Sequence, residues 1–373
     1  MEEETGSAAK TSKVDTRSFI FITGAFLLFF FALELMITSF DALGAETIHT
    51  VLSATSNPFT GLFIGLLITA IIQSSSTTTA LVVTLVGSGT LTLLNAVPVI
   101  MGANLGTTIT ALIVSLGFLN KPKEFKRAVS AAAYHSFFNL LTIIVLFPLE
   151  YKYALVTRAV TLISDYLFLS VGGNSTEIVS WSVFGFVIDP LVTVLDAPIV
   201  LVSISFILLF ASILFFRRQI SNLLIGKSPD SSGRFIFEDP LKSLGWGLIT
   251  TAAIRSSTIT TSLVVPLVAK KIIKLREAAS FIMGANVGTT VTAFIAVLVS
   301  SNSVAAISIA LAHLLFNVAG ILLFFVMPFL PAIPYELSKH LGIVSARYRI
   351  SIVLFVLFTF FIIPFTLIYI SNN

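Results

Sequence analysis

The chain has no cysteine and very little charge. Among its 373 residues, Asp, Glu, Lys and Arg make up only 11%, whereas 56% are hydrophobic. The absence of cysteine excludes disulfides, Cys-bound metals and thiol catalysis. The mean hydropathy of +1.01 lies far outside the range of soluble globular domains. The composition therefore predicts a membrane protein.

Signatures of catalysis and of nucleic-acid binding are lacking as well. The sequence has no carboxylate pair, nucleophile triad or phosphate-binding P-loop, so we expect no enzyme activity and no organic cofactor. The formal net charge of +4 comes from Lys and Arg residues in short loops between apolar segments. That distribution follows the positive-inside rule of membrane proteins and does not indicate a nucleic-acid groove.

Five apolar segments each come close to the about 20 residues that a membrane-spanning helix needs. They lie at residues 19–40, 128–149, 199–216, 304–328 and 350–370. A signal peptide is the alternative interpretation of the first segment. However, that segment is too long for a cleaved hydrophobic region, and no small-residue cleavage site follows it. We therefore expect it to span the membrane after a disordered polar tail.

Four polar elements of the chain occur twice, the first three of them at a constant offset of 182 residues. The pairs are NP at 57–58 with DP at 239–240, QSSSTTT at 73–79 with RSSTITT at 255–261, MGANLGTT at 101–108 with MGANVGTT at 283–290, and HSFFN at 135–139 with HLLFN at 313–317. Chance similarity between apolar segments would not keep register over so many polar positions. The chain therefore contains two copies of one unit.

Loop charge indicates that the two copies face opposite sides of the membrane. Residues 87–94 of the first copy carry no charge, whereas the matching residues 269–276 carry four basic residues. The next loop shows the reverse, since residues 300–303 are uncharged and their counterparts include Lys121, Lys123, Lys126 and Arg127. Because basic loops stay on the cytoplasmic side, this pattern predicts inverted repeats with a substrate site between them near the midplane.

The predicted fold is an all-α polytopic membrane protein with two inverted-topology repeats that contain re-entrant or broken helix hairpins. The expected divisions are a disordered tail (1–17), a first transmembrane repeat (18–149), an extracytoplasmic connecting segment (150–198), a second, inverted repeat (199–328), and a C-terminal amphipathic segment with the last helix (329–373).

Each copy contains a short helix that leads into its hydroxyl-rich motif. Asn57 and Asp239 are good N-cap residues, and the proline after each fits the first helical position. Residues 58–72 give only about 22 Å of helix, which is too short to span comfortably, so we expect a hairpin that turns at mid-depth.

The MGAN motifs are expected to break the next helix in each copy, because glycine permits left-handed backbone. Four helix N-termini would then meet, where N–H groups bind oxyanions while hydroxyls and carbonyls bind Na⁺. The alternative is packing, since Ser, Thr and Gly often let membrane helices approach. Duplication of both motifs in register favours a binding site.

Arg255 is the one strong cation inside either hydroxyl motif. A charge at that depth is costly, so it predicts a function. We favour direct pairing with a phosphate, and a structural pairing with Glu34 is the alternative. His135 and His313 recur symmetrically beside apolar residues, and we interpret them as packing or hydrogen-bonding residues, not proton relays.

At these residues the chain resembles the type II sodium–phosphate cotransporter family, bacterial branch. The similar blocks are the family's paired QSSS motifs (73–76 and 255–258), its GAN-x-GT elements (102–108 and 284–290), EFKR at 124–127, and ALAHLLFNVAGILL at 310–323. The resemblance covers both repeats. In one departure, Arg255 stands where the family has Gln, which adds positive charge to the second motif.

The resemblance implies a symporter that imports inorganic phosphate with Na⁺ across the inner (cell) membrane of a bacterium, with membrane lipid as its surroundings. It implies a phosphate site at Gln73, Ser74, Ser75, Ser76, Asn104, Arg255, Ser256, Ser257, Thr258 and Asn286. It implies sodium ligands among Ser76, Thr77, Thr78, Thr107, Thr108, Thr258, Thr260, Thr289 and Thr290.

Two other functions stay open on the residues alone. Another small oxyanion, such as sulfate, arsenate or a carboxylate, fits the same cluster of helix ends. A regulatory membrane protein without transport could carry the repeat as a relic.

Overall fold

A computed structural model describes residues 16–42, 57–170, 184–225, 236–299 and 304–371. All regular secondary structure in these ranges is helical. The helices are α1 (Thr16–Asp41), α2 (Pro58–Ile72), α3 (Ser75–Gly87), α4 (Leu93–Gly106), α5 (Ile109–Ser115), α6 (Pro122–Tyr153), α7 (Leu155–Ser170), α8 (Gly185–Leu195), α9 (Pro198–Ile225), α10 (Pro240–Ile254), α11 (Ser257–Ala269), α12 (Leu275–Val299), α13 (Val304–Ile321), α14 (Ala332–Arg347), α15 (Ile350–Leu357) and α16 (Ile363–Ser371).

Several of these helices are long and apolar enough to cross a membrane. Within the described ranges, five segments meet both conditions: Leu93–Phe118, Pro122–Tyr153, Leu275–Val297, Val304–Val326 and Ile350–Ile370. The apolar segments expected at 19–40 and 199–216 fall within α1 and α9. The predicted all-α polytopic membrane fold is confirmed. Most of the tail predicted at 1–17 lies outside the described residues.

The first arm of each hairpin begins at the predicted cap. The Asn57 side chain accepts a hydrogen bond from the backbone N–H of Phe59 at 2.9 Å, and Asp239 accepts one from Lys242 at 2.9 Å. Proline follows each cap, where its missing N–H costs nothing. Both arms are 15 residues long. The predicted N-caps are therefore confirmed.

Both hairpins turn at one residue in the left-handed conformation. Gln73 has φ 57° and Arg255 has φ 58°, a region that costs a non-glycine residue about 1–2 kcal/mol. Ser74 and Ser256 follow in extended conformation and cap the second arms, α3 and α11. The hydroxyl motifs thus stop one helix and start the next.

Only the first MGAN motif interrupts a helix, although a break was expected in both copies. In the second copy the motif lies inside α12, which runs without interruption. In the first copy α4 ends at Gly106, and only a short turn at Thr107 and Thr108 precedes α5. The glycines of both motifs stay at negative φ. The expectation that four helix N-termini meet is therefore wrong, because the second motif starts no new helix.

The motif glycines instead allow two helices to touch. A Cβ atom on Gly102 would overlap the carbonyl oxygen of Leu62 on α2, and one on Gly284 would overlap that of Leu244 on α10. The same overlap occurs at Gly65, Gly106, Gly247 and Gly288. Lipid gives helices no hydrophobic reason to associate, so close backbone contact is what holds them together. The pairs α2–α4 and α10–α12 are therefore tightly packed.

The second arm of each hairpin packs against the other copy. Helix α3 contacts α12 and α13, whereas α11 contacts α5 and α6. Outside this core, α1 packs along α9 and α14 packs along α6. The copies are thus interlocked, and residues from both can meet at the hairpin turns.

The segment 150–198, predicted only as a connection, contains helices α7 and α8. Glu150, which is buried, caps α7 by accepting hydrogen bonds from the backbone of Val156 at 2.7 Å and Thr157 at 3.2 Å. Glu34 on α1 accepts one from Phe184 at 3.0 Å, at the start of α8. A carboxylate suits both places because helix N-termini are partially positive. Placement of this segment outside the cell stays a prediction.

We expect Gly284→Ala to destabilise the protein by about 2 kcal/mol, because the added methyl group forces α10 away from α12. Gly245→Ala on α10 is the matched control, since nothing lies within 4 Å of a Cβ atom there. Alanine also favours the helix at that position. The measurement is SDS-induced unfolding of the purified protein in mixed micelles. Equal stability of the two variants would contradict the close contact.

Candidate functional site

The turns of the two hairpins touch each other. The Ser76 hydroxyl donates a hydrogen bond to the backbone carbonyl of Arg255 at 3.3 Å, and the Thr258 hydroxyl donates one to the carbonyl of Gln73 at 3.3 Å. The two bonds are related by the offset of the sequence repeat. Each left-handed turn residue therefore has its carbonyl satisfied by the opposite copy.

The second arms both begin at this contact. The Ser74 hydroxyl accepts from the backbone N–H of Thr77 at 3.4 Å, and that of Ser256 accepts from Ile259 at 3.3 Å. The first N–H groups of a helix have no acceptor within it and carry the positive end of its dipole. Two such ends start beside one another here, among buried serine and threonine hydroxyls.

Arg255 brings a full positive charge to the same place. Its guanidinium carbon lies 4.9 Å from the ring centroid of Phe29 on α1, in cation–π geometry. Phe29 is buried, and the arginine is half-buried. Glu34, the acid considered as a partner for Arg255, bonds the backbone at the start of α8. Sequence reasoning did not identify Phe29.

The threonines expected to bind sodium all use their hydroxyls inside the protein. Thr77 shares a hydrogen bond with Ser74 at 2.9 Å. Six others donate to a carbonyl of their own preceding turn: Thr78, Thr107, Thr108, Thr260, Thr289 and Thr290. Such bonds are common in packed membrane helices. A hydroxyl that donates keeps its lone pairs, so these oxygens stay able to accept a cation.

The motif asparagines contact histidines of the opposite copy. His135 Nε2 lies 2.8 Å from Asn286 Oδ1, and His313 Nε2 lies 3.2 Å from Asn104 Oδ1. All four side chains are buried. The prediction that the histidines are packing or hydrogen-bonding residues is confirmed. Their partners were missed, because they lie 151 and 209 residues away along the chain.

Two more contacts between the copies were not predicted. Arg127 Nε donates to the carbonyl of Ala269 at 2.7 Å, where a cation complements the end of α11. The Tyr134 hydroxyl donates to Met283 Sδ at 3.6 Å, and both residues line a cavity of about 430 Å³ beside α14. The basic block that contains Arg127 was used only to assign loop orientation.

Comparison with known proteins agrees with these motifs. Sodium-dependent phosphate transport protein 2B of Pongo abelii is 27% identical over 93% of this chain and 64% of its own length. Sodium-dependent phosphate transport protein 2A of Mus musculus is 28% identical over 91% of this chain and 66% of its own length. The chain thus spans about two thirds of these relatives. No solved structure gives a significant match to it.

A family model described as Na⁺/Pi-cotransporter matches residues 28–173 and 208–333, which is more than half of the chain. The matched ranges contain both hairpins, both MGAN motifs and both histidines. The chain therefore belongs to the Na⁺/Pi-cotransporter family, the type II sodium–phosphate cotransporters that its motifs resemble.

Proposed function

We propose that this protein is a sodium-coupled symporter that imports inorganic phosphate across the cell membrane. In a bacterium, this would be the inner membrane. The observation that carries the proposal is the contact between the hairpin turns, through Ser76 with Arg255 and Thr258 with Gln73. It places two helix N-termini and one arginine in a region lined by hydroxyls. Membership of the Na⁺/Pi-cotransporter family supports the same substrate pair.

The charge of this region suits a phosphate ion. Each helix N-terminus contributes about +0.5 and Arg255 contributes +1, for a total of about +2. Inorganic phosphate is a mixture of the monoanion and the dianion near neutral pH, so this positive charge complements it. The proposed phosphate ligands are the turn residues and the residues that follow them, Gln73, Ser74, Ser75, Ser76, Arg255, Ser256, Ser257 and Thr258. Asn104 and Asn286 support them from the motif helices.

Sodium would be held by hydroxyl and carbonyl oxygens, which are the ligands that a hard cation prefers. The candidates are Ser76, Thr77, Thr78, Thr107, Thr108, Thr258, Thr260, Thr289 and Thr290. Binding of Na⁺ beside the turns would offset the charge of the incoming phosphate. This coupling through shared charge is our explanation for symport.

The mechanism we propose is alternating access between two oppositely oriented copies. Each hairpin would close the shared site from one side of the membrane. The interlocked packing of α3 and α11 supports a site formed by both copies, and the loop charges support their opposite orientation.

Sodium coupling is tested by reconstitution. Purified protein in liposomes should take up labelled phosphate under an inward Na⁺ gradient and not under an equal K⁺ gradient. Arsenate should compete, whereas sulfate and succinate should not, because a symporter built for phosphate favours its closest analogue. Equal uptake in Na⁺ and K⁺ would refute the coupling, and competition by sulfate or succinate would point to another substrate.

Arg255→Gln should raise the KM for phosphate about 10- to 100-fold, since a hydrogen bond to a charged group contributes about 1.5–3 kcal/mol. Arg255→Lys should retain part of the affinity because the charge remains. Arg349→Gln removes an exposed arginine near the C-terminus and serves as the matched control. An unchanged KM in Arg255→Gln would exclude the arginine from the phosphate site.

The opposite orientation of the copies is tested by thiol labelling, because the chain has no cysteine of its own. Ser88 and Lys270 are matched positions just after α3 and α11. In intact cells a membrane-impermeant thiol reagent should label Ser88→Cys and not Lys270→Cys, which becomes reactive once the membrane is permeabilised. Labelling of both from the same side would refute inverted repeats.

A further inference from the structure

The contact between His135 and Asn286 is part of a closed ring of hydrogen bonds. His135 Nε2 contacts Asn286 Oδ1, Asn286 Nδ2 donates to Asn139 Oδ1 at 3.1 Å, and Asn139 Nδ2 donates to the carbonyl of His135 at 2.9 Å. That carbonyl can only accept, so it fixes the orientation of both amides. His135 must therefore donate through an Nε2–H group.

The matching residues around His313 and Asn104 do not form a closed ring. Asn317 Nδ2 donates to the carbonyl of His313 at 3.0 Å, as Asn139 does in the ring. However, Asn104 Nδ2 donates at 2.8 Å to the carbonyl of Ile100 on its own helix. Within the described residues, the buried Oδ1 of Asn317 has no hydrogen-bond partner.

A buried amide oxygen without a donor is unfavourable, and native structures contain few of them. The residue that matches the donor of the ring is Asn104, which contacts His313 as Asn286 contacts His135. If the Asn104 amide turned toward Asn317, the ring of the other side would be reproduced. The Asn286 amide can make the opposite change, which is to leave Asn139 and donate to the carbonyl of Ile282. Ile282 occupies the position that matches Ile100.

We propose that the two arrangements exchange during each transport cycle, so that the ring at Asn286 opens as a ring at Asn104 closes. His135 and His313 are then positioning residues, because each holds the Oδ1 of the motif asparagine whose Nδ2 changes partner. The inference rests on the proposed transport function. One ring forms as the other is lost, so the number of hydrogen bonds is conserved. The exchange therefore costs no hydrogen bond.

If the two arrangements exchange, Asn317 should be as important for the uptake rate as Asn139. Among the residues that the structure describes, however, Asn139 Oδ1 accepts a hydrogen bond and Asn317 Oδ1 does not. Asn139→Leu and Asn317→Leu should each lower the maximal rate of phosphate uptake about 10-fold, with little change in KM, because each raises the barrier for one half of the cycle. A role limited to holding the present structure predicts a much larger loss in Asn139→Leu than in Asn317→Leu, because Asn317 bonds only its own helix in the described part of the chain. That result would overturn the exchange.

Conservative histidine variants separate positioning from packing. Glutamine can present an N–H group where His135 or His313 does, whereas leucine cannot. His313→Gln should recover most of the uptake rate that His313→Leu loses, and the same should hold at His135. His340, which is exposed on α14, supplies the control pair. Equal rates for the Gln and Leu variants at both buried positions would overturn the proposal.

Stability and wild-type activity are measured alongside. If the leucine variants do not yield folded protein in detergent, the uptake rates of two serine variants are compared instead. Asn139→Ser and Asn317→Ser lose the amide without adding bulk. Absence of phosphate uptake by the wild-type protein would refute the proposed function and the exchange together. Uptake by the wild type that Asn317 variants retain would refute the exchange alone.

Discussion

A backbone carbonyl that leaves a helix inside a protein needs a new hydrogen-bond donor, and each hairpin creates this problem where it turns. The structure solves it with the other copy, since Ser76 reaches the carbonyl of Arg255 and Thr258 reaches that of Gln73. Neither turn is therefore complete on its own. This requirement explains why α3 and α11 are inserted into the opposite copy, and it brings both hydroxyl motifs to one place.

Two kinds of contact stabilise the fold, one within each copy and one between the copies. Within a copy, glycine allows carbonyl-to-helix contact between α2 and α4 and between α10 and α12, which fixes those pairs closely. Between copies, polar side chains form hydrogen bonds at the hairpin turns and at His135 and His313. Close backbone packing thus acts within each copy, and polar side chains link the two copies.

Local features were predicted well and context-dependent ones were not. The caps at Asn57 and Asp239 and the turns in the hydroxyl motifs depend on a few neighbouring residues, so their sequences suffice. The second MGAN motif was misinterpreted because glycine permits a break without requiring one, and a neighbouring helix uses the free space instead. Helix α7 was missed because a search for long apolar runs passes over an amphipathic helix that Glu150 caps.

The sequence by itself determined that the protein lies in a membrane, that its polar motifs occur twice, and where each hairpin begins and turns. Hydropathy, repeat offset and capping are properties of the chain at short range, so they do not depend on the final packing. Only the tertiary structure decided that Asn286 pairs with His135, that Asn104 pairs with His313, and that Arg255 lies over Phe29. Those partners are set by how the two copies interlock, and residues far apart along the chain carry no local sign of that arrangement.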